Sequence, residues 1–127
     1  MANKKTQHLG ELEQDIMQIM WERQRGSVRF VLEILRKKRR IAYTTVMTVM
    51  SRLVRKKMLR RTLQADGAYH YEPALSRPEY LQSRSKNIIQ SLLHECGNIA
   101  VAQFVDVVAQ VKTKDAEAWK KMLKRLK

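Results

Sequence analysis

From Leu9 to Glu22, apolar residues recur at helical spacing, with Leu12, Ile16, Ile19 and Met20 on one side, and this predicts a first helix. Gly10 stands at its N-cap position with Glu13 three residues on. That is half of a capping box, because Glu13 can reach back to the backbone but Gly10 has no side-chain acceptor. Arg25-Gly26-Ser27 reads as a turn with Ser27 as the next N-cap. Val28, Val31, Leu32 and Leu35 then predict a second helix from Val28 to about Lys38, closed by the basic run Arg36–Arg40. The stretch from Tyr43 to Lys57 is helical again. Val46, Val49, Met50 and Leu53 form its apolar face, while Thr45, Thr48, Arg52 and Arg55 fall opposite at i, i+3, i+7 and i+10.

After Lys57 the period changes from 3.6 to 2. Met58–Leu63 predicts a strand, Gln64-Ala65-Asp66-Gly67 a turn with the Asp-Gly hairpin signal, and Ala68–Glu72 the returning strand, stopped by Pro73. Ser76 and Glu79 have capping-box spacing with Pro78 in the first turn, so a helix runs from there to about His94. Leu81, Ile88, Leu92 and Cys96 lie along one side of it. Gly97-Asn98 breaks the pattern, and a helix over 99–111 follows. Val101, Phe104, Val105 and Val108 make one face there, and Ala100, Val107 and Val111 widen it. A last amphipathic helix over 115–126 sets Trp119, Leu123 and Leu126 against Lys120, Lys121, Lys124 and Arg125. It suits a dimer element or a membrane-surface helix. Met1–His8 is polar and is expected to fray.

Three helices and a basic hairpin describe a winged helix. The predicted fold is mainly α: a winged helix-turn-helix domain, three helices plus a two-stranded β-hairpin wing, over residues 9–74, then a helical dimerisation region over 75–127. The helix over 99–111 is apolar around most of its circumference, and some fifty residues of appendage cannot bury it alone. A second copy is expected to cover it, with Leu81, Ile88, Leu92, Val101, Phe104, Val105 and Val108 in the interface.

Charge sharpens this picture. The net charge is +14, and between Arg23 and Arg61 fourteen Lys and Arg face the single acidic Glu33, a local excess of +13. So concentrated a patch points to nucleic acid, with an anionic membrane surface as the competitor. The lone Cys96 excludes an internal disulfide and a four-cysteine metal site. The opening MANKKTQH is too polar for a secretory signal, and the run IAVAQFVDVVAQV is too short and interrupted to span a bilayer. A soluble, cytoplasmic protein is expected.

The Tyr43–Lys57 helix hides one side and presents hydroxyls and guanidiniums on the other, which suits a groove of duplex DNA. Thr offers a donor, an acceptor and a methyl, and Arg can fork onto guanine or a phosphate. Arg60 and Arg61 enter the wing, within reach of phosphates. Trp21 reads as a core wedge in preference to a base-stacking platform. Tyr69 and Tyr71 share one face of the second wing strand and read as a cover for the first helix in preference to an RNA platform. His94-Glu95-Cys96 is weighed as a metal site, but His and Cys at i and i+2 diverge on a helix, and packing with a solvated His is preferred. No catalytic constellation, cofactor, metal site or small-molecule substrate is read from the chain. Two function classes stay open: a sequence-specific repressor, and a nonspecific architectural or RNA-associated basic protein. They differ in how binding ranks sequences at physiological salt.

The segments LGELEQDIMQIMWE, SVRFVLEIL, AYTTVMTVMSRLVRKK, GAYHYEP and SRPEYLQSRS, in that order, resemble the penicillinase-repressor family of BlaI and MecI type, over about Leu9 to Val108. The resemblance implies a dimeric winged-helix repressor on dyad operators with TACA and TGTA half-site words. It also implies induction by cleavage in the dimerisation region, downstream of a membrane-bound metallopeptidase sensor. Thr44, Thr45, Thr48 and Arg52 match the family's DNA-contacting residues. Gln103-Phe104 stands where the family usually has an Asn-Phe cleavage point. Lys57 replaces a usual Gly, so the third helix is expected to end on a non-Gly residue in left-handed conformation. The family's copper-responsive branch carries a cysteine-rich tail, and this chain has none.

Overall fold

α1 (Glu11–Arg23) is the first of three helices that enclose the core, with α2 (Val28–Leu35) and α3 (Tyr43–Arg55). The computed structural model describes residues 9–112 and 114–125; the polar segment Met1–His8 and Leu126 lie outside them. Leu9 precedes α1 rather than opening it and is buried beside Ile16, Met17 and Met20. Of the predicted α1 stripe, Leu12 is half-buried, and Met17 takes a place in the core that the spacing left unassigned. Gly10 N–H donates to Glu13 Oε1 at 2.8 Å, the half box expected there. Ser27 Oγ accepts from Phe30 N–H at 3.1 Å and starts α2. Val28, Val31, Leu32 and Leu35 meet Val46, Val49, Met50 and Leu53 of α3 in one cluster.

α3 ends in a Schellman turn. Lys57 takes φ 64, Lys57 N–H donates to Val54 O at 3.0 Å, and Met58 N–H donates to Leu53 O at 2.9 Å. The expected left-handed non-Gly residue is there, and Met58 and Leu53 are both buried in the same core cluster, as the motif favours. The wing follows: β1 (Leu59–Leu63) pairs antiparallel with β2 (Tyr69–Pro73), with Arg60 opposite Glu72 and Arg61 opposite Tyr71. Gly67, at φ 85, closes the hairpin turn, and Gln64 N–H donates to Ala68 O at 2.9 Å. Arg25-Gly26-Ser27 is more than a turn. Gly26 N–H donates to Tyr71 O at 3.0 Å and Tyr71 N–H to Gly26 O at 2.8 Å, so β2 is bridged on both edges. A Cβ on Gly26 would lie 2.5 Å from Phe30 Cδ2, so any larger residue there would have to displace the Phe30 ring.

This bridge separates two residues the alternation treated alike. Tyr71 is fully buried, whereas Tyr69, towards the hairpin tip, is 44% exposed with Arg61 stacked 4.4 Å from its ring centre. The expected packing of Tyr69 on the first helix is therefore corrected: β2 leaves the body before it reaches that position. Trp21 does pack. Its indole N–H donates to Leu75 O at 2.9 Å, and its ring lies 5.6 Å from that of the buried Tyr80.

α4 (Arg77–Cys96) begins with the complete capping box. Glu79 N–H donates to Ser76 Oγ at 3.1 Å, and Ser76 N–H to Glu79 Oε1 at 2.9 Å. The described chain forms two compact units, one up to Arg84 and the other from Ser85 on. In the second, α5 (Asn98–Gln110) packs on α6 (Ala116–Arg125). Gly97, at φ 58, separates α4 from α5. Cys96 is exposed rather than packed, since the last turn of α4 has no described neighbour covering that side.

Candidate nucleic-acid interface

The outer face of α3 is built by exclusion. Once Val46, Val49, Met50 and Leu53 point inward, Thr44, Thr45, Thr48, Arg52 and Arg55 are left in solvent, and all five are exposed. An open groove of about 700 Å3 runs between this face and the wing. Thr48, Ser51 and Arg55 border it from α3 and Arg61 from β1, with Tyr43, Met47 and Tyr69 as its apolar walls. Arg29, at the start of α2, stands 5.7 Å from the centre of the Tyr43 ring.

The residues proposed from spacing do not all share this groove. Thr44 lies in the first turn of α3, the end that enters a groove in helix-turn-helix docking. Arg52 does not border this groove and lies close enough to α1 for its charge to act on Glu13. Arg60 and Arg61, adjacent on a strand, face opposite ways. Arg61 turns to the groove, whereas Arg60 sits 3.5 Å from Glu72 across the ladder. Spacing did not single out Ser51, Arg29 or Tyr43. Ser51 follows from the i, i+3 spacing after Thr48, but Arg29 required knowing where α2 begins relative to α3.

A buried ion pair fixes the far end of α3. Lys56 Nζ lies 2.8 and 3.0 Å from the two oxygens of Glu13, whose side chain is 8% exposed. Burial pushes the Glu13 carboxyl up. The Lys56 hydrogen bond, the Gly10 N–H and the charges of Lys56 and Arg52 together outweigh that and hold it below the ordinary glutamate range.

In the second unit the apolar positions are mostly uncovered. Ile88 and Leu92 of α4, and Val101, Phe104 and Val105 of α5, are each at least 42% exposed. Leu81, in the first unit, is likewise exposed. Val108 differs, being buried in its own unit. Phe104, Val107, Val108, Val111, Trp119 and Met122 border an apolar groove of about 590 Å3 between α5 and α6. Gln103 and Phe104 are both exposed in the middle of α5. Among the described residues, no helix is long and apolar enough to cross a membrane.

The family model described as Penicillinase repressor matches residues 9–125. The chain belongs to the penicillinase repressor family. It is a winged-helix, DNA-binding transcriptional repressor of that family. A protein of Mycobacterium tuberculosis named transcriptional regulator BlaI, in strains CDC 1551 and H37Rv alike, is 32% identical over 96% of this chain and 87% of its own length. Among solved structures, the adhesin competence repressor AdcR of Streptococcus pyogenes is 21% identical at a TM-score of 0.48, over 82% of each chain. ZitR of Lactococcus lactis, in a doubly substituted form, is 12% identical at 0.47, over 97% of this chain and 76% of that one.

Proposed function

We infer that this repressor acts as a homodimer on a dyad operator, with α3 of each copy in a major groove and the wing on the adjacent backbone. The observation that carries the reading is the α3–wing groove. It gathers two hydroxyls, Thr48 and Ser51, and two guanidiniums, Arg55 and Arg61, on one solvent face. Thr44, Thr45, Thr48 and Arg52 read bases or fix register, and Arg55 and Arg61 hold phosphates; Arg60, held towards Glu72, is the weaker partner. The half-site words are TACA and TGTA, as the family resemblance implies. The exposed apolar faces of α4 and α5 support a second copy as the covering partner. Linking two copies makes the second docking intramolecular, so dimerisation sets affinity.

Derepression follows from the same linkage. Cleavage at Gln103–Phe104, by a protease under a membrane-bound metallopeptidase sensor, would detach the second half of α5 and all of α6. The three-helix body and wing would stay folded, because among the described residues their core draws on none beyond Tyr80. The protein works in the cytoplasm, as a DNA-binding regulator and not as an enzyme. The test is titration of a TACA/TGTA dyad duplex and a scrambled duplex at physiological salt, with the full chain and a 1–103 fragment. A preference of about 10³ or more for the dyad, lost in the fragment, is the expected result. Parallel binding to both duplexes by the full chain would instead make this a nonspecific architectural protein.

A further inference from the structure

The connection between α2 and α3 holds five consecutive cations, Arg36-Lys37-Lys38-Arg39-Arg40, and the structure divides them into two kinds. Arg36 Nε donates to Ile41 O at 3.2 Å, and Arg39 pairs with Asp15 of α1. These two side chains hold the loop. Lys37, Lys38 and Arg40 are solvent-facing and make no ion pair among the described residues. Asp15 offsets one charge of the run, so the loop keeps a surplus of about four positive charges.

Arg36, Arg39, Arg40 and Ile41 border a shallow, open basin of about 450 Å3. Two residues later α3 begins at Tyr43. Its N-cap, Ala42, offers no side-chain cap, and its first turn carries no acidic residue. No acidic residue therefore stands in the chain between the basin and the end of α3 that carries Thr44 and Thr45. A helix start with no acidic residue, beside an open cationic basin, suits a backbone phosphate.

We propose that this loop is a second DNA contact, separate from the α3–wing groove, in which the free cations, Arg40 at the basin and Lys37 and Lys38 beside it, hold backbone phosphates next to the groove that α3 enters. It rests on the DNA-binding reading of α3. Its contribution is to affinity and docking register, with no reading of bases, so its loss acts on all sequences alike. Arg36 and Arg39 are positioning residues: they set the loop, and the free cations meet the anion.

The test uses the full chain with Lys37, Lys38 and Arg40 replaced by Gln, and a second variant, Arg40→Gln alone. None of the three side chains is paired among the described residues, so both variants are expected to match the parent in helical signal and melting temperature. Binding is titrated from 50 to 200 mM salt on the dyad duplex, on a scrambled duplex of equal length, and on phosphatidylglycerol vesicles. The proposal predicts a log–log salt slope shallower by about 0.9 for each phosphate that the variant no longer neutralises, on both duplexes, with the dyad-to-scrambled ratio unchanged. An unchanged slope on the scrambled duplex would overturn it. So would a triple variant that loses vesicle binding while keeping the parent's slope on DNA, since the loop would then face lipid. Because the scrambled duplex alone decides whether the loop meets phosphate, a parent without dyad preference would refute the operator reading and leave this test intact.

Discussion

Removal of the Glu13 carboxylate should loosen α3 from α1 more than any surface substitution on either helix. Glu13 makes three hydrogen bonds at once: both oxygens meet Lys56 Nζ, at 2.8 and 3.0 Å, and Oε1 also takes the Gly10 N–H at 2.8 Å. In Glu13→Ala, Lys56 keeps a charge with no partner at a site where its side chain is 20% exposed. Breaking a buried pair this way costs about 3–5 kcal/mol, and the partial exposure of Lys56 places this one at the lower end, near 3 kcal/mol. Loss of the backbone hydrogen bond adds about 1 kcal/mol. Glu13→Gln keeps an acceptor for Gly10, so by the same reasoning it should lose about 3 kcal/mol. Lys56→Met should cost less than Glu13→Ala, because the carboxylate retains Gly10 and nearby Arg52. Urea unfolding at pH 7 measures all three, and the double variant gives the coupling. The folded carboxyl titrates below its unfolded value, so this stability is present above the ordinary glutamate range and is lost as pH falls through the lowered folded value. In Lys56→Met that acid loss should shrink. A Glu13→Ala protein within about 0.5 kcal/mol of the parent would mean that the pair does not hold α3.

Arg61→Ala should weaken DNA binding several-fold and flatten the salt slope, while Arg60→Ala, whose guanidinium already faces Glu72, should change little; equal effects in gel-shift titration would refute the two-faced wing. Phe104→Asp should convert a dimer to monomer in sedimentation, since an unpaired buried charge costs several kcal/mol, and a parent already monomeric at micromolar concentration would remove the dimer altogether. Lys57→Gly should raise stability by about 1 kcal/mol in urea unfolding, because glycine adopts φ 64 without strain; a loss of stability would show that the Lys57 side chain contributes more than its conformation costs.

Local rules carried the helices far. The Ser76–Glu79 box, the Ser27 cap, the Asp-Gly hairpin and the inward faces of α2 and α3 follow from spacing alone, because each depends on neighbours within one or two turns. Pairings between distant segments were not legible. Glu13 reads as a dipole-favoured acid in the sequence, and nothing local says that Lys56, far along the chain, will bury it. Gly26 reads as a turn residue until Tyr71 is found across from it. Alternation pairs Tyr69 with Tyr71, but only the folded body decides where β2 leaves its cover. Within the candidate interface, the hydroxyl and guanidinium face of α3 was visible from its period. The opposite facing of Arg60 and Arg61 was also implicit in a period of 2. That the charge of Arg52 acts on Glu13 while Arg55 borders the wing needed the packing of α1 against α3.

The claim that two linked recognition helices read one face of a dyad is tested most directly by half-site spacing. The full chain should be titrated at physiological salt on the TACA/TGTA dyad and on the same dyad with about five base pairs, half a helical turn, inserted at its centre. Half a turn carries one half-site to the opposite side of the duplex, where the second α3 cannot follow. The insertion should lower affinity to that of the scrambled duplex. Equal affinity for the two dyads would show that the two copies do not bind as a linked pair.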